Sequence, residues 1–514
     1  AVAIGYEAMG GTAGTQEGHG IAIGYRAMFE VEDGSSGIAI GNSALNYLVG
    51  GYSTAVGDQA GLYATGSYNT FFGRDAGKGG TTSAPYSSGE TNTALGSQAL
   101  AAFTTGTRNI AIGGKAAYRL TTGNYNVAIG DTSLAAAGVS GGHNVAIGYY
   151  AGGQISSGAD NISLGQNSLA YSTTADDNIA IGPYASHRTG QYNSSATSTI
   201  AIGRFSGYYN QGSYNVFMGY YAGHGSSADA MSPGTGNTGI GSSALQSFRS
   251  GSQNTAVGQY SLLSNLDGSD STAIGYRAGQ YTTGSYNTFV GSDAGKGGTT
   301  SAPFSSGEKN IALGYEALKD FTTGHRNTML GYQSGENTTD AAYNTAVGYQ
   351  AMRGSSASGQ TGDGVNVAIG YSAMQAVTTA TNNVAVGANA LDAYTSGDGN
   401  VAIGRDALGA AANAEDRNIA IGRAAMSNTN NADSDHNVAI GSSTLQSGTV
   451  AAGANIAIGH QSMTDVDAVG SQHNTSIGYQ SMNGTWANTV SQYNVAIGSK
   501  TMQGAMDDAD DNTA

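Results

Sequence analysis

The string Asn, β-branched residue, Ala, aliphatic residue, Gly recurs along the whole chain and restricts its fold more than any other feature. It reads Asn126-Val127-Ala128-Ile129-Gly130, Asn344-Thr345-Ala346-Val347-Gly348 and Asn400-Val401-Ala402-Ile403-Gly404. With the last Gly as position 0, 28 copies run from Gly5 to Gly498. Their spacing is most often 17, never below 16, and reaches 23 where a loop is inserted. A fixed period of this length marks a stack of identical small units that bury their core against one another.

Position −1 is Ile, Val, Leu, Met or Phe in all 28 copies, and −3 is Val, Ile or Thr in all 28. Along an extended strand these two share a face, and β-branched residues suit a pleated surface. The expectation is therefore a strand whose −1/−3 face fills the interior. Gly at 0 permits a backbone conformation closed to other residues, and +1 is an exposed residue, often Tyr, as at Tyr149, Tyr315 and Tyr371. Position +3 is Ala, Ser or Thr in every copy and +4 is Leu or Met in 18, which predicts a second short strand. Segments such as Thr122-Gly123 and Thr283-Gly284 then turn the chain back. Asn fills −4 in 22 copies, either as an amide ladder at the strand entrance or as a residue that tolerates the turn.

Volume is compensated between positions. Residue −2 is Ala in 21 copies but bulky at Phe71, Phe217, Phe289 and Met329, and each of those copies has Gly at +4: Gly77, Gly223, Gly295 and Gly335. The copies before the three Phe copies also carry Gly at +4, namely Gly61, Gly207 and Gly279, so each ring is expected to fill space in two stacked coils. Gly152 alone among the eight such glycines has no bulky partner. With −1/−3 inside, the −2/+4 surface would meet another chain, making Phe71, Phe217, Phe289 and Met329 structural interface residues of an oligomer. The alternative is a monomer whose own return segment covers that face.

These readings predict an all-β parallel β-roll or β-solenoid of about 28 coils, 17–23 residues each apart from a few of 16, forming one continuous domain over 1–514. Both ends fall inside a motif, as expected of a segment of a longer fibre. The 16, 23, 17, 17 spacing of 57–130 recurs in 275–348 with matching sequence, an internal duplication. Stacked at about 4.8 Å per strand, the coils would make a rod roughly 130 Å long with almost no helix.

Composition bears on function. Charged residues are 11% of 514, Gly numbers 82 and Cys is absent, so the chain is neither ordinary globular nor typically disordered. A net charge of −16 offers no basic surface for nucleic acid or anionic lipid, and no apolar stretch reaches the length of a membrane-spanning helix. Lack of Cys excludes disulfides, thiol catalysis and Cys-ligated zinc. Gly234-x-Gly236-x-x-Gly239 matches a dinucleotide fingerprint in letters only, since Gly239 is position −2 of a repeat. Gly73–Lys78 and Gly291–Lys296 are one residue short of a phosphate loop. His143, His187, His325 and His436 stand singly, and the run Asp507, Asp508, Asp510, Asp511 lacks spaced calcium ligands. No catalytic residue, cofactor or metal site is predicted.

The motif Asn-x-Ala-Ile-Gly-x-x-Ala resembles the head repeat of trimeric autotransporter adhesins of the YadA-like type, in a longer Tyr-rich variant similar to that of phage tail fibres and other extracellular fibres. The resemblance covers every coil. It implies a left-handed roll, three chains side by side as a homotrimer, and an extracellular place on a cell or virion surface. The function expected is a non-enzymatic attachment fibre or adhesin shaft with a cell-surface receptor or glycan as partner, or else a structural spacer or filament without a receptor. Receptor contacts are expected on the inserted loops Lys78–Gly89, His187–Ser198, His224–Gly236, Lys296–Gly307 and Arg353–Gly364, with Lys78, Tyr86, Lys296 and Phe304 as the candidate residues of the duplicated pair.

Overall fold

A computed structural model of the chain describes all residues except 11–18, 32–35, 81–82, 84–85, 189–195, 227–231, 299–303, 355–363, 410–414, 430–433, 447–452, 465–470, 485–490 and 505–509. It is an all-β parallel solenoid with one short strand per repeat and no helix among the described residues. Two compact units divide it, Ala1–Asn254 and Thr255–Ala514. Among the described residues the first holds 14 strands, β1 (Val2–Ile4) to β14 (Thr238–Ile240), and the second another 14, β15 (Thr255–Val257) to β28 (Val495–Ile497). Both units share one architecture.

Within a unit each strand pairs in parallel with the strand of the next repeat, and the motif stays in register: Val127 faces Val145, Ala128 faces Ala146 and Ile129 faces Ile147. The insertions that lengthen the spacing to 23 leave this unchanged, as Thr70 still faces Thr93. Gly at 0 is required twice over. Gly130 has φ +129, and a Cβ there would lie 2.6 Å from the carbonyl oxygen of Gly148 in the next coil.

The second strand expected at +3/+4 does not form. After Gly at 0 the chain turns, with left-handed backbone at +2 and +4, as at Gln350 (φ 52) and Met352 (φ 51). The alternation sends successive amides in opposite directions. Gln350 donates its N–H to the Tyr332 carbonyl of the preceding coil (2.9 Å), and Met352 donates to the Ala373 carbonyl of the following one (2.8 Å). Left-handed backbone costs about 1–2 kcal/mol per residue. That cost is offset because these amides are bonded between coils without a strand.

The two faces of the strand are the reverse of the expectation. Ala128 is fully buried while Val127 and Ile129 are only half-buried, and in every strand but β1 the −2 residue is buried and its −3 and −1 neighbours are not. The interior therefore holds −2, +3 and +4, and the Ile/Val rows face outward. A coil of about 17 residues encloses too little space for two β-branched side chains per strand. Small residues mark the inside.

Phe71, Phe217, Phe289 and Met329 accordingly lie inside the chain's own coil, fully buried, and are not available as an interface between chains. The volume compensation is real but internal. A Cβ on Gly77 would come within 2.2 Å of the Phe71 ring, and one on Gly61 in the preceding coil within 3.0 Å of the ring's other edge. Gly223 and Gly295 meet Phe217 and Phe289 in the same way, at 2.1 and 2.2 Å, and Gly335 meets the Met329 sulfur at 2.5 Å. A Cβ on Gly239, in the coil after Phe217, would lie 3.2 Å from the Phe217 ring, so its lack of a side chain belongs to this packing.

A further interior row, +7, was not foreseen. It holds Leu48, Phe103, Leu120, Phe248, Phe321, Val377 and Tyr394, all fully buried. Each Phe at −2 is followed one coil later by a Phe at +7: Phe71–Phe103 at 5.9 Å, Phe217–Phe248 at 5.3 Å and Phe289–Phe321 at 5.8 Å between centroids. Gly152 also finds its explanation here. The Cδ1 of Ile155, at +7, would lie 3.0 Å from a Cβ on Gly152 and occupies the space of the missing +4 side chain.

Candidate contact surfaces

The strand entrance is fixed by the Asn row. The Oδ1 of Asn92 accepts the backbone N–H of Asn109 in the next coil (2.9 Å), and the Asn109 Nδ2 donates to the Gly123 carbonyl (2.9 Å) and to Asn92 Oδ1 (3.1 Å). The same pattern continues from Asn109 to Asn126 and on to Asn144. These amides are buried and bonded, so the ladder reading holds. At Ser53 and Ser271, each one coil before a Phe, the hydroxyl accepts the amide of the next Asn instead, at 3.1 and 3.2 Å.

With its entrance pinned, every strand presents its −3 and −1 side chains outward in line with those of the coils above and below. Ile110, Ile147 and Met218 in the first unit and Ile274, Ile311 and Ile369 in the second are 38–42% exposed. Neither position is charged in any copy. The result on each unit is an uncharged apolar strip on a chain that is otherwise acidic.

Aromatic rows flank this strip. At +1, Tyr315, Tyr332, Tyr349 and Tyr371 stack with centroids 5.3, 5.1 and 5.2 Å apart. At −5, Tyr52 stacks on Tyr68 and Tyr125 on His143. His143 and His473 at −5 and His460 at +1 are rungs of these rows. His143, His460 and His473 stack on Tyr125, Tyr479 and Tyr493, while His325 meets Tyr343 edge-on. His187 and His224 lie on either side of Tyr208, at 5.0 and 5.3 Å. Burial holds both imidazoles below the usual histidine range. Among the described residues no group of three or more His, Asp or Glu could hold a metal.

The loop candidates are largely engaged by the chain itself. Lys78 Nζ lies 3.1 Å from Asp75 and 2.6 Å from Gln59, and the Tyr86 ring packs 4.5 Å from Tyr47. Lys296 lies 3.8 Å from Asp293, and Phe304 stacks on Tyr281 at 6.2 Å. The central parts of all five inserted loops lie outside the described residues, as do Asp507 and Asp508. Two open depressions, of about 430 and 290 Å³, are lined by Arg119, Tyr150 and Gln154 and by Glu308, Lys309 and Arg326. The second also has Ser306, Thr323 and His325 in its lining. No protein-family model and no curated protein matches the chain. No helix among the described residues is long and apolar enough to cross a membrane.

Proposed function

We propose that the chain is a non-enzymatic fibrous protein of extracellular type, the shaft or head of an attachment fibre, built from identical copies packed side by side through the outward Ile/Val strip. The observation that supports this reading is the exposure of that strip once the core is full. Contiguous exposed apolar patches larger than a few hundred Å² are rare on monomers and mark contact surfaces. The occupant that fits is a second copy. Its own strip repeats at the same strand spacing, so contacts stay in phase along the solenoid, and neither strip brings a charge to the contact between two acidic chains. The resemblance to trimeric adhesin heads makes three the copy number to test.

Ile147→Lys with Ile369→Lys tests the reading. It places one charge in each unit's strip and leaves the interior untouched. Sedimentation of the wild type as an oligomer, and of the variant as a folded monomer, is the expected outcome. A wild type that is monomeric at micromolar concentration contradicts it. A structural spacer without a receptor is the second reading, favoured by Lys78 and Tyr86, which are held by the chain's own Asp75, Gln59 and Tyr47. Deleting 78–89 and 296–307 together and measuring attachment separates the two, since unchanged attachment by a folded variant leaves the loops as spacers.

A further inference from the structure

The longest stacked Tyr row, at +1 of four successive coils in the second unit, is more than packing. Tyr332–Tyr349 and Tyr349–Tyr371 are nearly parallel, at 5° and 4°, with centroids 5.1 and 5.2 Å apart, and Tyr315–Tyr332 follows at 16° and 5.3 Å. All four rings stay open to solvent at 42–57% exposure. Their backbones are held rung by rung. The carbonyls of Tyr315, Tyr332 and Tyr349 accept the N–H groups of Gln333, Gln350 and Ser372 in the next coil, at 2.8, 2.9 and 2.8 Å. The +2 side chains beneath form a parallel ladder, with Gln333 Nε2 donating to Glu316 and Gln350 Nε2 donating to Gln333, both at 2.8 Å. Phenols are thus paired at close range by a scaffold that cannot slip.

We infer that this row is a site of oxidative tyrosine coupling that staples adjacent coils of one chain. The co-reactant is a one-electron phenol oxidant, such as a haem peroxidase with hydrogen peroxide. Each of two neighbouring phenols gives up one electron and one proton to become a phenoxyl radical. The two radicals join through a bond between ortho carbons, and the two ring hydrogens at those carbons move to the oxygens, restoring both phenols. The link removes two electrons and two protons from the protein, and one peroxide takes them up to become two waters. Pre-alignment makes coupling along the row outrun coupling between exposed tyrosines that must first meet. Each link closes a short loop across a coil boundary, which opposes the opening of one coil from the next. The inference concerns bonding within one chain and stands apart from the proposed assembly.

Dilute full-length protein treated with a limiting dose of peroxidase and peroxide, then digested for peptide mass spectrometry, tests it. Dityrosine fluorescence and peptides joined with loss of two hydrogens should place links at Tyr332–Tyr349 and Tyr349–Tyr371, ahead of any at the more exposed Tyr214. Tyr349→Phe keeps the stack and removes two of the three neighbouring pairs, so only the Tyr315–Tyr332 link should remain in the row. Oxidised wild type should resist denaturant in the coils of Tyr332 to Tyr371, and oxidised Tyr349→Phe should not. Links spread over the tyrosines by exposure alone, links found only between chains, or row links unaltered by Tyr349→Phe would each overturn the inference.

Discussion

The duplicated stretches 57–130 and 275–348 are the same inside and different outside. Inside, the Phe71 ring is clamped between Gly61 and Gly77, where an added Cβ would come within 3.0 and 2.2 Å of it, and Phe289 between Gly279 and Gly295 with the same clearances. The following Phe pairs match too, 5.9 Å and 49° against 5.8 Å and 52°. Outside, Lys78 is tied to Asp75 and Gln59, whereas Lys296 shares Asp293 with Arg277 at 3.8 and 4.0 Å. Tyr86 packs against both Tyr47 and Tyr63, and for Phe304 the ring partner is Tyr281. A close-packed interior admits one arrangement of a given set of volumes, and a solvated corner admits several.

The largest effects should come from breaking the clamp. Phe71→Ala and Phe289→Ala should each cost about 3–5 kcal/mol and agree with one another, because the cavities are the same. Gly77→Leu or Gly295→Leu alone should be at least as damaging, since a Cβ there already meets the ring at 2.2 Å. The double changes Phe71→Ala/Gly77→Leu and Phe289→Ala/Gly295→Leu recreate the common Ala/Leu coil and should recover most of the loss in denaturant melts. Additive losses in either stretch would refute the clamp.

Next come the Asn rungs. Asn92→Ala and Asn310→Ala remove equivalent bonds, Nδ2 to the carbonyls of Gly106 and Gly324 (2.9 Å each) and Oδ1 to the amides of Asn109 and Asn327 (2.9 and 3.0 Å). Each leaves a buried donor and acceptor unmet, at about 1–3 kcal/mol per group. Equal losses would confirm the internal identity of the stretches, and unequal ones would break it.

A smaller effect separates the two units by pH. His187 and His224 have lowered folded-state values because of burial, so the unfolded chain takes up protons first, from about 6.5 downward. Their contribution is full above that pH and is lost as pH falls toward their folded values. Hydrogen exchange should show residues around 184–224 loosening on acidification before the coils of 315–371 do, and His187→Phe with His224→Phe should flatten the difference.

The smallest effects belong to the exterior. Lys78→Ala and Lys296→Ala should each change stability by less than about 1 kcal/mol, as ion pairs near the surface do, and need not agree. A loss above 2 kcal/mol at either would mean that the loops help hold the coils.

Register, coil number, the parallel pairing and the Asn ladder were legible in the repeat. So was the pairing of Phe71 with Gly77 and Gly61, because volume compensation shows in the letters. The inside and outside of the strand were misassigned by weighing hydrophobicity over size. Ala128 and its equivalents, and the Ala, Ser or Thr at +3, are small in nearly every copy because space is short there. Ile129 and its equivalents vary in size among Ile, Val, Leu, Met and Phe because they lie outside the coil, where no closed interior fixes their volume. The +7 row was hidden by the loops, which shift its surroundings from copy to copy, although Phe103 and Phe321 following Phe71 and Phe289 carried the signal. Left-handed backbone at Met352 and its equivalents had no signal, since Met and Leu ordinarily avoid it.

The central claim is that the −2 row lies inside and the −1 row outside a coil closed by one chain. Hydrogen exchange across residues 126–148 in Ala128→Lys and Ile129→Lys tests it most directly, because a buried charge opens the local coil whatever the state of assembly. The account predicts that Ala128→Lys abolishes amide protection there while Ile129→Lys preserves it. Protection kept by Ala128→Lys and lost by Ile129→Lys would contradict it.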